Sequence, residues 1–239
     1  MNVRGKLAVV TGGARRVGRA IVEGLAHDGA HVVIHCHSSL DEARDLARQV
    51  GGEVVQADLA QPEGAEHLAR QVLQLEGELA VWVNAAATFS RRSFLDGDDG
   101  LWRDAMQLVL LSPAAIVRRV APTMVPGGVV INVLDVAAHQ AWKGYAHHCV
   151  AKAALSMLTR CLALELAPRL RVCGISPGVV LVPDDLAAPQ IDRMVGRIPM
   201  GRVGSPEDVV QAVRYLVQGD YLTGTVLAVD GGLTSRGHA

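Results

Sequence analysis

Short apolar runs rich in Val and Ile alternate along the chain with longer stretches in which apolar positions recur every three or four residues. The short runs predict buried strands at Leu7–Val10, His31–His35, Glu53–Ala57, Ala80–Asn84, Val129–Leu134, Arg171–Ser176 and Thr225–Val229. The longer stretches predict helices over 17–28, 40–50, 63–76, 99–122, 146–167 and 206–218. This alternation implies an α/β fold: a doubly wound, seven-stranded parallel sheet with helices on both faces. Pro113 falls inside the fourth helix, where a kink is expected. Segment 181–204 shows no clear period and carries Pro183, Pro189 and Pro199, so it is expected to be irregular, as functional lids often are.

The chain has 239 residues, half of them apolar and 20% charged. That length allows one large domain or two small ones. With no linker, repeat or low-complexity tract, residues 1–239 are read as a single domain. A net charge of −1 argues against nucleic acid as the main partner. Four Cys, none in a C-x-x-C pair, suit a reducing compartment. No apolar run reaches the roughly 18 residues of a membrane span, and a Gly cluster comes too early for a signal peptide. The expectation is a soluble cytoplasmic protein.

The first strand runs into Thr11-Gly12-Gly13-Ala14-Arg15-Arg16-Val17-Gly18, after which a helix begins. Glycine lets backbone approach a pyrophosphate, and the helix start offers free N–H groups and a positive dipole end. An ordinary tight turn would look similar, so the second strand matters. NAD-binding folds carry an acid near its end to hold the ribose 2′-hydroxyl. Here the chain reads His35-Cys36-His37-Ser38-Ser39, with no acid and with Arg15 and Arg16 in the neighbouring loop. Cations and hydroxyls without a carboxylate favour a 2′-phosphate, hence NADPH/NADP+ over NADH.

These segments resemble the short-chain dehydrogenase/reductase family over nearly the whole chain. The likeness rests on the loop at 11–18, Ala57-Asp58-Leu59, Val83-Asn84-Ala85-Ala86, Lys152-Ala153-Ala154-Leu155, Ser176-Pro177-Gly178 and the C-terminal stretch through Val229-Asp230-Gly231-Gly232. It implies a Rossmann-type domain. It also implies cofactor contacts from Gly12, Arg15, Arg16, Val17, Gly18, His35, His37, Ser38, Ser39, Asp58, Leu59, Asn84, Ala85, Ala86, Lys152, Pro177 and Gly178. Within the family the chain is similar to the pteridine reductase branch. Arg16 stands at the middle glycine of the loop, and His35-x-His37-x-Ser39 follows that branch's pattern. Asp135 takes the place of the usual catalytic Ser. Phe89 and Tyr145 fall where those enzymes contact a pterin, with Arg16 also on the substrate side. The resemblance further implies a homotetramer built on helices 99–122 and 146–167.

The chain departs from the family at the proton donor. The motif Tyr-x-x-x-Lys places two side chains on one helix face. Lys152 is present, but His148 stands where the Tyr belongs. Val109, Ala85 and Cys173 replace three Asn of the family pattern. Two readings follow. In the first, the protein is a reductase with catalytic residues Asp135, His148 and Lys152. Like charge from Lys152 and an oxidised nicotinamide then keeps His148 neutral, as an N–H electrophile. Asp135 is the proton source if burial keeps it protonated, or else it orients a substrate amine. A C=N substrate, a pterin or cyclic imine-like heterocycle, suits such a site better than a ketone, because its nitrogen can arrive protonated, and a related carbonyl is the alternative within this reading; a heterocyclic small molecule is the expected partner. In the second reading the protein binds NADP(H) and catalyses nothing.

Other clusters carry less. His147, His148 and Cys149 are consecutive and cannot converge on a metal from one helix, so no metal is expected. Asp96, Asp98 and Asp99 read as a solvated loop with a helix cap. Asp184 and Asp185 are placed within reach of a substrate amine or in solvent.

Overall fold

The computed structural model describes residues 1–96, 98–182 and 187–235; Pro183, Asp184 and Asp185 lie outside the described residues. Seven strands form one sheet: β1 (Leu7–Thr11), β2 (His31–Cys36), β3 (Glu53–Gln56), β4 (Leu79–Asn84), β5 (Val129–Val133), β6 (Arg171–Pro177) and β7 (Val226–Val229). All neighbours are parallel, in the order β3-β2-β1-β4-β5-β6-β7. The described residues therefore form one doubly wound α/β domain with a seven-stranded parallel sheet.

Strand side chains alternate between the two faces, and both faces are covered. Ala8 and Val10 of β1 join a core with Ile21, Val22 and Leu25 of α1 (Arg16–His27), Leu46 of α2 (Leu40–Val50) and Val213 and Leu216 of α8 (Pro206–Gln218). Leu7 and Val9 face the opposite core. That core holds Leu68 and Val72 of α3 (Pro62–Leu73), Ile116, Val117 and Val120 of α5 (Ser112–Val120), and Ala163 of α6 (Ala146–Leu166). Two-sided burial explains why the central strands read as short, largely apolar runs.

A buried polar chain crosses the second core. Trp82 Nε1 donates to Asn84 Oδ1 (2.9 Å), Asn84 Nδ2 to Asn132 Oδ1 (2.8 Å), Asn132 Nδ2 to Thr159 Oγ1 (2.9 Å), and Thr159 Oγ1 to the Leu155 carbonyl (2.8 Å). It ties β4 and β5 to α6 with every buried amide paired.

Two expectations are corrected. The helix expected over 99–122 is divided: α4 (Asp99–Met106), a π turn (Gln107–Leu111) and α5. Pro113 has no N–H, and its ring crowds the carbonyl four residues back, that of Val109; a wider turn absorbs both. Segment 181–204 is not irregular throughout. It contains α7 (Ala188–Val195), none of whose residues is buried. Asp98 caps α4 by accepting the Leu101 N–H (2.8 Å), as its sequence position implied.

Candidate active site

The strand order reverses direction between β1 and β4, which opens a crevice at the carboxyl ends of the strands. A cavity of about 780 Å³ lies there. Its walls bring together Gly12, Arg15, Arg16, Val17, Gly18, His35, His37, Ser38, Asp58, Leu59, Ala85 and Ala86, as expected from sequence. They also include Gln61, Thr88, Ser90, Asp104 and Leu108, which the motif reading did not name. Ala87 to Ser90 simply prolong the turn after β4, a continuation that the motif did not cover.

The loop between β1 and α1 is built for close approach. Gly12 has φ +64°, and a Cβ there would sit 2.9 Å from Ala86 Cα. A Cβ on Gly18 would sit 2.1 Å from the Gly12 carbonyl oxygen. Arg16 adopts φ 55°, left-handed backbone that an L side chain takes only at a cost. The N-terminus of α1 has no side-chain cap and no acid in its first turn, whereas α2 and α8 carry Asp or Glu there. An uncapped helix start beside two arginines is receptive to phosphate. These features fit a dinucleotide. Gly12 and the first turn of α1 would hold its pyrophosphate, and Arg15, Arg16, His37 and Ser38 its adenosine end.

His35 has a different place from the one expected. It is buried in β2, accepts the Gly12 N–H at Nδ1 (3.1 Å), and lies 3.1 Å by Nε2 from the Ala57 carbonyl. Burial lowers its pKa to about 4, so the ring is neutral and Nε2–H donates to Ala57. Its carbonyl also takes the Gly13 N–H (2.9 Å). His35 therefore braces the loop from beneath. Five expected contacts lie off the cavity wall, the buried Lys152 among them. Ser39 is buried at the start of α2, and the Asn84 side chain is spent in the buried chain. Pro177 and Gly178 close β6, where a Cβ on Gly178 would meet Asp230 Cα at 2.8 Å.

Asp135 follows β5, and His148 and Lys152 lie one turn apart on α6. Asp135 Oδ2 is 2.6 Å from His148 Nε2, and its Oδ1 accepts the Ala137 N–H (2.8 Å). Burial alone would raise the Asp135 pKa, but the hydrogen bond to His148 and the Lys152 charge outweigh it and hold the pKa below the usual carboxylate range. Asp135 is thus ionised and accepts the Nε2 proton. Of the two roles expected for Asp135, this setting favours the charged one, which orients a substrate amine, over the protonated proton source. Lys152 is buried and donates Nζ to the Val133 carbonyl (2.7 Å); desolvation lowers its pKa, with Asp135 opposing. The charged group bonded to the imidazole is therefore the Asp135 carboxylate, not the lysine.

The His148 ring is only 3% exposed, against 21% for the Asp135 side chain. It is walled by aromatics. Phe89 meets it edge-on at 5.2 Å between centroids, and Trp142 lies near-parallel at 6.4 Å. Phe89 in turn stacks on Tyr145 at 4.6 Å and remains 63% exposed. Trp142 was missed in the sequence, although Trp142, Tyr145 and His148 recur every third residue. Below the pair, Val109, Leu134, Ala151 and Leu155 form a small apolar cluster, so the Val109 site presents no polar group.

Comparison with known proteins agrees with this geometry. Residues 12–234 match the enoyl-(acyl carrier protein) reductase family profile. An uncharacterized oxidoreductase of Mycobacterium tuberculosis is 37% identical, over 96% of this chain and 92% of its own. The 3beta-hydroxysteroid dehydrogenase 1 of Eggerthella lenta is 34% identical, over 98% and 95%. Among solved structures, FolM alternative dihydrofolate reductase 1 from Brucella canis, complexed with NADP, superposes with a TM-score of 0.91 at 32% identity, covering 100% of this chain and 97% of that one. The chain belongs to the short-chain dehydrogenase/reductase family of oxidoreductases.

Proposed function

We propose that residues 1–239 form one NADPH-dependent reductase domain of the pteridine reductase type, acting on the C=N bond of a pterin or related cyclic imine-like heterocycle. The observation that carries this reading is the 2.6 Å contact between Asp135 and His148 beneath Phe89, Tyr145 and Trp142. Support also comes from the solved relative named as an alternative dihydrofolate reductase in complex with NADP. Arg15, Arg16, His37 and Ser38, with no acid at the end of β2, favour NADPH over NADH. Lys152 holds the nicotinamide end of the cofactor site.

When bound, the nicotinamide supplies a hydride. The protein's own part is to present and neutralise the acceptor. Asp135 is the more open member of its pair and is anionic, so it faces a protonated C=N nitrogen. An iminium carbon that takes a hydride yields a neutral amine with no further proton transfer. The family's phenol is therefore dispensable for this substrate class, which a ketone would not allow. His148 donates Nε2–H to Asp135 and fixes the carboxylate; being buried, it acts through Asp135 and not on the substrate. Phe89 offers an exposed ring face to a flat heterocycle, with Arg16 and Tyr145 beside the substrate.

The fold also supports a homotetramer through α4, the π turn, α5 and α6, with Leu111 of the turn and Val150, Met157 and Leu164 of α6 exposed. No described helix is long and apolar enough to cross a membrane. We assign the protein to the cytoplasm, where its four unpaired cysteines stay reduced.

A second reading, an NADP(H)-binding protein without turnover, is favoured by one observation: the His148 ring is closed off behind Phe89 and Trp142. Dihydropterin-dependent loss of NADPH absorbance separates the two. Turnover above blank supports the reductase. Tight NADPH binding with no turnover across pterins, cyclic imines and ketones supports the binder.

A further inference from the structure

Behind the aromatic wall lies a second cleft of about 490 Å³. Trp142 belongs to both: it contacts Phe89 and His148 on one side and lines this cleft on the other. Val179, two residues beyond Pro177, and Gln140 complete the near wall. The far wall comes from α7 and the turn after it, through Arg193, Met194 and Arg197. No acidic residue lines the cleft among the described residues. Arg193 spends Nε on the Pro189 carbonyl (3.2 Å), which leaves its terminal nitrogens, and the Arg197 guanidinium makes no ion pair with any described residue. Two cations therefore line a groove that also presents an indole and a thioether and that shares Trp142 with the aromatic wall around His148.

We propose that this cleft binds the tail of the substrate, and that the tail ends in an oxyanion, a carboxylate or a phosphate, held by Arg193 and Arg197. The inference rests on the heterocycle reductase reading for the position of the ring, but not for the chemistry of the cleft. Guanidinium groups pair with carboxylate or phosphate through parallel N–H bonds, and a neutral tail leaves them without a partner. The indole and thioether of its walls suit a linker of aryl or methylene groups between ring and anion. The exposed, helical part of segment 181–204 thereby acquires a role in choosing among substrates that share one ring.

The test uses the NADPH-loaded enzyme and one dihydropterin ring with three side chains, ending in a carboxylate, a phosphate or an amide. KM for one oxyanion-ended form is expected to be at least about ten-fold below that of the amide. R193Q and R197Q should each raise that KM by a similar factor, leaving kcat and the amide's KM unchanged. The better of the two oxyanions identifies the tail. Equal KM values for all three, or Arg variants that slow every substrate alike, overturn the proposal. If no dihydropterin turns over, the ring assignment has failed and the cleft is tested alone. Saturation-transfer NMR of benzoate, phenyl phosphate and benzamide should then show binding of an anion, lost in the R193Q/R197Q double variant. Binding of benzamide equal to both anions, or no binding by any of the three, refutes the oxyanion site.

Discussion

Asp135 reaches His148 with one oxygen, at 2.6 Å, and the Ala137 backbone N–H with the other, at 2.8 Å. Both oxygens are thus anchored while the side chain stays partly open, a combination that fixes a negative charge beside the aromatic wall around His148. It separates the two residues by role. On the proposed reading the carboxylate faces the substrate, while the imidazole, covered by rings, orients the carboxylate.

That division predicts an asymmetry between variants of His148. His148→Gln retains an N–H donor for Asp135 and should keep kcat within about ten-fold of wild type, whereas His148→Ala should lose about a hundred-fold through misplacement of the carboxylate. Steady-state NADPH oxidation with a dihydropterin measures both. Equal losses would show that the ring itself does the chemistry.

Arg16 predicts opposite signs for stability and binding. Its left-handed backbone favours glycine. Arg16→Gly should therefore raise unfolding free energy slightly, by roughly 0.5 kcal/mol once the freer unfolded chain is counted. Loss of its guanidinium should weaken NADPH binding about ten-fold and NADH binding much less. Thermal melts and fluorescence titration give the two quantities. A variant that binds both cofactors as wild type does would remove Arg16 from the 2′-phosphate site.

His35 makes stability depend on pH. Its pKa is about 4 in the folded protein against 6.5 for an unperturbed imidazole. Between those values the unfolded chain binds more protons, so stability falls as pH drops from about 6.5 towards 4. The total from this residue is roughly 3 kcal/mol, and it is absent at neutral pH. Because His35 holds the Gly12 and Gly13 amides, the cofactor loop should loosen first. Urea melts over this range should show the slope in wild type and a flatter profile in His35→Gln.

The buried chain from Trp82 to Leu155 is expected to be structural. Thr159→Val keeps shape but leaves Asn132 Nδ2 without its acceptor, which should cost about 1–3 kcal/mol without changing KM for NADPH. Denaturant unfolding checks the first part and kinetics the second.

The central strands were readable in the sequence because burial on both faces makes them short, largely apolar runs, as in Leu7–Val10. The loop at 11–18 was readable because glycine spacing reflects contacts such as Gly18 against Gly12. α7 was hidden because it is only eight residues long and buries none of them, so its apolar positions Ile191, Met194 and Val195 span about two turns beside three prolines. The π turn was hidden because Pro113 signals a break without saying whether the helix bends or widens. His35 read as part of a polar turn, since its neighbours His37 and Ser38 are polar; only the third dimension shows it beneath Gly12. Asn84 matched a cofactor motif, yet its side chain answers to Asn132, a partner 48 residues away. The charge on Asp135 depended on a hydrogen bond across 13 residues that spacing alone did not give.

The measurement that bears most directly on the central claim is kcat/KM for dihydropterin-dependent NADPH oxidation in Asp135→Asn against wild type. Asparagine keeps the shape, removes the charge and leaves one of the two acceptor positions. A fall of at least about a hundred-fold, with NADPH affinity unchanged, is the predicted result. Undiminished turnover in the Asn variant, or none in the wild type, would contradict the account.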